Sequence, residues 1–148
     1  MAGNSIREQI LLAVVAVLRS SVINLGATLH RSPTVAITRE QCPALVVFPE
    51  SEAITERAND RVTRELTVRL VALARAVPPD SAETTADALL TAAHAALFTD
   101  PNLGGLALGL REQECEWEVE DADAVAAAIP ARYRITYRTL ANDLSTPG

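Results

Sequence analysis

The sequence predicts an α+β domain: an antiparallel or mixed β-sheet with two helices packed on one face. Two segments repeat apolar residues at helical spacing, and several others alternate apolar and polar residues as half-buried strands do. The 148 residues are 49% hydrophobic, which suits a single domain with its own core. We expect this domain to span residues 1–141 and residues 142–148 to form a flexible C-terminal tail.

The first helix is marked by a capping box, in which Ser5 is followed three residues later by Glu8. Apolar residues then recur at spacings of three and four, which indicates one buried helix face. The helix is expected to end between Ser20 and Asn24, before Gly26. That apolar face comprises Ile6, Ile10, Leu11, Val14, Val15, Val17 and Leu18.

Short extended segments are predicted after this helix. Ala27–Arg31 and Thr34–Ile37 are candidate strands separated by Pro33. The continuous apolar run Ala44–Phe48 is typical of a buried strand. Glu50–Asp60 is polar and has no periodicity, so we expect a mobile loop there.

A long strand and a second helix are predicted next. Arg61–Arg75 alternates apolar and polar residues along its length. Asp80 and Glu83 form a second capping box, which opens a helix that continues to about Phe98. The apolar stripe of that helix comprises Ala86, Leu89, Leu90, Ala93 and Leu97.

The last third of the chain predicts two strands. Leu106–Glu120 changes the phase of its apolar residues, and a β-bulge between Leu110 and Gln113 would account for the change. The final strand, Ile129–Leu140, alternates regularly. Its inward residues are Ala131, Tyr133, Ile135 and Tyr137, and its outward residues include Arg132, Arg134 and Arg138.

The charge is concentrated in one stretch. Residues 111–123 contain seven acids and one arginine, a net charge of −6, whereas the rest of the chain is neutral. Alternation places Glu112, Glu114, Glu116, Glu118 and Glu120 on one strand face, and Glu116–Arg132 and Glu114–Arg134 are the expected cross-strand pairs. Two readings stay open: a solvated face with compensated charge, or an assembly or lumen surface formed by Glu112, Glu114, Glu116, Glu118, Arg132, Arg134 and Arg138.

Catalytic, metal and cofactor motifs are lacking in the sequence, so we expect no enzyme activity and no cofactor. Cys42 and Cys115 are isolated and are expected to be small buried side chains. His30 is interpreted as a solvated residue and His94 as a helix-surface or core-edge residue. Asp121 and Asp123, although they resemble half of a cation loop, are expected in a solvated turn.

Membrane and nucleic-acid surfaces are also disfavoured. The longest apolar run, Ile10–Leu18, is shorter than the roughly 20 residues of a membrane span, and no signal-peptide pattern accompanies it. The acidic balance of the chain argues against phosphate binding as its main role. A cytosolic protein is the expectation.

In order and spacing, four segments resemble the lambda-type phage tail terminator family, the minor tail protein U family. SIREQILLAVVAVL resembles its opening helix and CPALVVFPE its short strand. ELTVRLVALARAVPPDSAETTADALL resembles its long strand, turn and second helix, and AAAIPARYRITYRT resembles its closing strand. The resemblance covers Ser5–Thr139, with the glutamate row and the segment after Leu140 as departures.

The resemblance implies a structural protein that forms a homo-hexameric ring on the tail tube, fixes tail length and provides the surface for head joining. Its implied partners are copies of itself, the tail tube protein and the head–tail connector protein, with DNA passing through the lumen without specific binding. The implied location is the head-proximal end of the virion tail, after assembly in the host cytoplasm. Two alternatives are another head–tail neck or completion protein of the same fold and a small-ligand-binding or enzymatic α+β domain.

Overall fold

The computed structural model describes residues 3–77, 79–115, 118–120 and 126–148. Two helices and a mixed sheet form a single α+β domain, as predicted. Single 3₁₀ turns lie at Ile23–Leu25 and Arg39–Gln41. The elements are α1 (Ile6–Val22), β1 (Thr28–Arg31), β2 (Ala44–Ala58), β3 (Arg61–Arg75), α2 (Ala82–Thr99), β4 (Gly109–Cys115), β5 (Glu118–Glu120), β6 (Ala126–Leu140) and β7 (Asp143–Pro147).

The sheet has the strand order β1-β2-β3-β6-β4, and β5 and β7 also pair with β6. β1 is parallel to β2, and the other pairs are antiparallel. β3 pairs along its whole length with β6 on one side and from Arg61 to Leu73 with β2 on the other. The helices share one face, where α1 packs on β1 and β2 and α2 packs on β3 and β6.

Both helices begin at serine caps. The amide of Glu8 donates to Ser5 Oγ at 3.0 Å, which confirms the predicted first cap. The predicted Asp80 cap is wrong, because the amide of Thr84 instead donates to Ser81 Oγ at 3.2 Å. Asp80 lies one residue earlier, where its amide donates to the carbonyl of Val77 and closes a turn.

The loop predicted at Glu50–Asp60 is wrong. β2 continues to Ala58 and pairs with β3, so only Asn59 and Asp60 form the turn, with Asn59 at φ +58°. Register shifts between Pro49 and Ser51 and between Ile54 and Glu56 interrupt the alternation. Because of these bulges and the exposure of its second half, the sequence of this strand resembles that of a loop.

Two shorter segments also differ from expectation. Thr34–Ile37 contains no strand, and the chain there bends before the turn at Arg39–Gln41. In place of the flexible tail expected over residues 142–148, Asp143–Pro147 forms β7 beside β6. Hydrogen bonds from Ser145 and Thr146 lower the pKa of Asp143 to about 2.

The core lies between the two helices and the sheet. Leu70 and Ile135 are fully buried there, which confirms the predicted inward faces of β3 and β6. Tyr133 and Tyr137 are the largest fully buried side chains, and burial raises the pKa of each phenol. The other buried β6 residues on this face are Ala127, Ile129, Ala131 and Thr139.

The N-terminal helical region Ile6–Leu25 is long and apolar enough to match a membrane span by length and composition, although its longest uninterrupted apolar run is short. A core helix of a folded domain has the same composition. Here Ile10, Val14 and Leu18 are buried in the core, which accounts for the apolar character.

Candidate interaction surfaces

The sheet face opposite the helices, here called the outer face, carries charged side chains from four strands. Arg132, Arg134 and Arg138 alternate with the buried tyrosines of β6 and therefore project onto this face, as predicted. Their partners come from β2, β3 and β4.

The predicted pairing of these arginines is wrong, by two residues at Arg132 and by three at Arg134. Glu114 lies opposite Arg132, and Arg111 lies opposite Arg134. Glu114 Oε1 accepts a hydrogen bond from Arg132 Nη1 at 2.8 Å. The expected partner of Arg132, Glu116, lies outside the described residues.

The glutamates do not share one face. Glu112 lies opposite the buried Tyr133 and therefore faces the helix side, whereas Glu114 lies opposite Arg132 on the outer face. The register shift between Glu112 and Glu114 places the bulge at Gln113, at the edge of the predicted interval. The prediction of a continuous glutamate row on one face is therefore wrong, because Glu112 and Glu114 lie on opposite faces. Glu118 lies in β5 opposite Ala128.

Arg132 lies between two acids on the outer face. Its Nε lies 2.9 Å from both carboxylate oxygens of Glu50, and its Nη1 binds Glu114. The Arg132 side chain is only 17% exposed between these two acids. Glu50, which belongs to the segment predicted as a loop, was missed because no local pattern links residues so far apart in the chain.

The neighbouring arginines are more exposed than Arg132. Arg111 Nη2 donates to Glu65 Oε1 at 2.8 Å, and Arg134 Nη1 lies 3.8 Å from the other oxygen of Glu65. Arg138 donates to the Thr63 hydroxyl at 3.1 Å and has no ion pair with any residue that the structure describes. Exposed pairs of this kind contribute roughly 0–1 kcal/mol each, so they orient side chains more than they stabilise the fold.

Arg69 is the unusual group on this face. It lies opposite Arg132 in the sheet, and its guanidinium carbon is 5.7 Å from the centre of the Phe48 ring. Its Nε is buried and has no hydrogen-bond partner in the described part of the chain. A 390 Å³ cleft lies beside Phe48, lined also by Ser32, Pro33, Val46 and Pro49.

A polar cluster lies on the helix side of the sheet and was also missed. The bulge after Pro49 places Glu52 opposite Leu66, on the face that α1 covers. Its carboxylate accepts hydrogen bonds from Arg7 at 2.7 Å, Arg64 at 3.4 Å and the Tyr137 hydroxyl. The cluster ties the start of α1 to β2, β3 and β6.

A second polar group lies between α2 and β4. His94 Nδ1 is 2.8 Å from the hydroxyl oxygen of the buried Tyr133. The two side chains border a 330 Å³ cleft together with Asp87 and Glu112. His94 is half-buried at the core edge, in agreement with its interpretation from sequence.

The two cysteines and His30 lie at exposed or half-buried positions. Cys115 is exposed at the end of β4 and Cys42 is half-buried, so the prediction that both are buried is wrong. Burial raises the pKa of the Cys42 thiol, which keeps it protonated at neutral pH. His30, predicted to be solvated, is half-buried in β1, with its Nε2 2.8 Å from Thr28 Oγ1.

The described residues include no group of three or more histidines, cysteines or acids placed to hold a metal ion. Asp121 and Asp123, the possible cation-loop residues, lie outside the described ranges. The described residues do form two charged surfaces, the outer face and the α2–β4 cleft.

Comparison of the chain with protein-family models and with curated proteins finds no match.

Proposed function

We propose that this protein is a phage tail terminator, a structural subunit that assembles as a homo-hexameric ring on the end of the tail tube. It stops tube growth, fixes tail length and presents the surface to which the head connector binds. The proposal starts from the resemblance of the ordered segments over Ser5–Thr139 to the tail terminator family. The α+β fold and the arrangement of its surfaces are compatible with that role.

The observation that carries the proposal is the outer face of the sheet. An uncovered sheet face in a small domain can simply be solvated, with flexible charges. Here Arg132 is held between Glu50 and Glu114 and is mostly shielded from water. Beside it, Arg69 has a buried Nε without an acceptor in the described residues. A missing acceptor is costly for an isolated subunit, so Arg69 would gain from turning its guanidinium toward an acceptor on a partner.

This face suits the tube or the connector as its partner. Preorganised charge of this kind gives specificity and correct register more than affinity, which an ordered head-joining step requires. The Phe48 cleft adds an apolar surface beside Arg69. A partner segment with an acid next to an apolar residue would match both features.

The role of the acid-rich stretch is revised by the bulge at Gln113. Because Glu112 and Glu114 face opposite sides of the sheet, the two cannot line a lumen as one continuous row. The net charge of −6 over residues 111–123 still gives the assembled ring an acidic region. Such a region repels DNA phosphates and lets DNA pass without binding.

The test is removal of the gene from the phage or prophage that encodes this chain. Without the protein, tails should have abnormal lengths and should not join heads, and purified protein added to the extract should restore joining. Head-bearing tails of normal length in the deletion strain would contradict the proposal. Labelled protein should be at the head-proximal end of the tail; labelling on the head side of the joint would favour another neck protein instead.

A further inference from the structure

The cleft between α2 and β4 is rich in hydrogen-bond acceptors. Asp87 and Glu112 lie at its rim, and neither carboxylate has an ion-pair partner among residues that the structure describes. The lining residues that the structure describes include no arginine. Two carboxylates beside a volume of 330 Å³ favour a guanidinium group.

Aromatic rings in the cleft wall and beside it suit the same group. His94 and Phe98 stack with ring centres 4.7 Å apart, and Tyr133 lies 5.6 Å from His94. Phe98, near the end of α2, is 38% exposed. Leu108, which directly precedes β4, is 55% exposed. Guanidinium groups stack on aromatic rings, and the exposed apolar groups would cover the aliphatic part of an arginine or its neighbours.

A matching donor lies on α1. Leu12, Ala16, Arg19 and Ile23 are all exposed and follow the i, i+4, i+7, i+11 spacing of one helical stripe. Leu12 is 47% and Ile23 is 66% exposed, although both are large apolar residues. Arg19 makes no ion pair within the described ranges, so the stripe presents a cation flanked by apolar side chains.

The fold separates this stripe from the cleft. α1 lies over β1 and β2, whereas the cleft is on the β4 side of α2. β1 and β4 are the two ends of the strand order. Arg19 and the cleft of one subunit are therefore on different sides of α2, and a contact between them joins two copies.

We infer that copies of this protein associate head to tail, with Arg19 of one copy in the Asp87–Glu112 cleft of the next. The inference rests on the proposed ring-forming function and specifies its subunit contact. The contact is heterologous, since the patch on one copy meets a different patch on the other, and repetition of such a contact gives a ring when the rotation between copies closes. In the apolar part of the contact, Leu12 and Ile23 of one copy pack against the exposed Phe98 and Leu108 of the next.

The test is a pair of charge reversals in the full chain, Arg19→Glu and Glu112→Arg. Each variant alone brings like charges together at the contact, so its self-association should weaken by about 10- to 100-fold in sedimentation velocity. An equimolar mixture of the two variants should assemble again, because every contact then joins opposite charges. Arg57→Glu, an exposed reversal near the β2–β3 turn, is the matched control and should associate like the wild type.

The outcomes separate this contact from the wider proposal. Unchanged melting curves would show that both variants fold, since both positions are exposed. If the wild type forms rings and the two variants form them equally well, the Arg19 contact is wrong and the terminator proposal stands. A wild-type chain that stays monomeric at every concentration would also overturn the contact, whereas the head-joining test decides the function independently.

Discussion

Replacing Glu52 with alanine is expected to destabilise the fold by about 2–5 kcal/mol, because its carboxylate accepts hydrogen bonds from several donors at once. The Glu52 side chain is 14% exposed and lies between α1 and the sheet. In the variant, the Tyr137 hydroxyl loses its acceptor inside the core, and Arg7 and Arg64 lose their carboxylate partner.

The magnitude follows from the exposure of each donor. An unsatisfied hydroxyl in a residue as buried as Tyr137 costs about 1–3 kcal/mol. Arg64 is 11% exposed but keeps its hydrogen bond to Thr139, so we expect about 1 kcal/mol from it. Arg7 is 37% exposed and should contribute only about 0–1 kcal/mol.

Urea denaturation followed by circular dichroism measures the free energy of unfolding directly. Glu56→Ala is the matched control, since Glu56 is an exposed acid on the same strand and should change stability by no more than about 0.5 kcal/mol. Tyr137→Phe should cost much less in the Glu52→Ala background than in the wild type, because the two groups share one hydrogen bond. Equal stability of the Glu52 and Glu56 variants would refute this account of the cluster.

Three further predictions concern stability. Burial raises the pKa of Tyr133 and Tyr137, so the folded state keeps both protons above about pH 10 while the unfolded state releases them. The contribution of the two tyrosines to the free energy of unfolding should therefore be constant below about pH 10 and should decrease above it by up to about 1.4 kcal/mol per pH unit for each tyrosine. Tyr→Phe variants should flatten this slope in denaturant titrations. Leu70→Ala should cost about 2–5 kcal/mol in urea denaturation, and near-wild-type stability would mean that the buried face of β3 is misassigned. Arg132→Glu should lower the free energy of unfolding by about 1–3 kcal/mol, because the new carboxylate lies beside those of Glu50 and Glu114. Arg138→Glu, the control, should leave the melting temperature nearly unchanged.

The helices and the two long regular strands were predictable because each presents a continuous apolar face to the core. β3 and α1 alternate or repeat without interruption, and the bounds from the sequence agree closely with the structure. The second half of β2 was not predictable in this way. Its exposed polar residues leave little hydrophobic signal, and its bulges remove the period of two that marks a strand.

The outer face was predictable only in part. The alternation of β6 shows which way Arg132 and Arg134 point, but their partners depend on the strand register. The bulge at Gln113 sets that register, and its position depends on tertiary pairing. The partner Glu50 and the Glu52 cluster come from a distant strand, so only the assembled sheet reveals them.

The position of β3 at the centre of the sheet determines how the domain opens. Its amide hydrogens point alternately to β2 and β6 and pair on both sides, so exchange with deuterium requires separation from one of two long neighbours. β1 and β4, at the two ends of the strand order, can each open from one side. Hydrogen exchange should therefore be slowest along β3 and should report global unfolding there, while protease cleavage should begin at the exposed turn of Asn59 and Asp60.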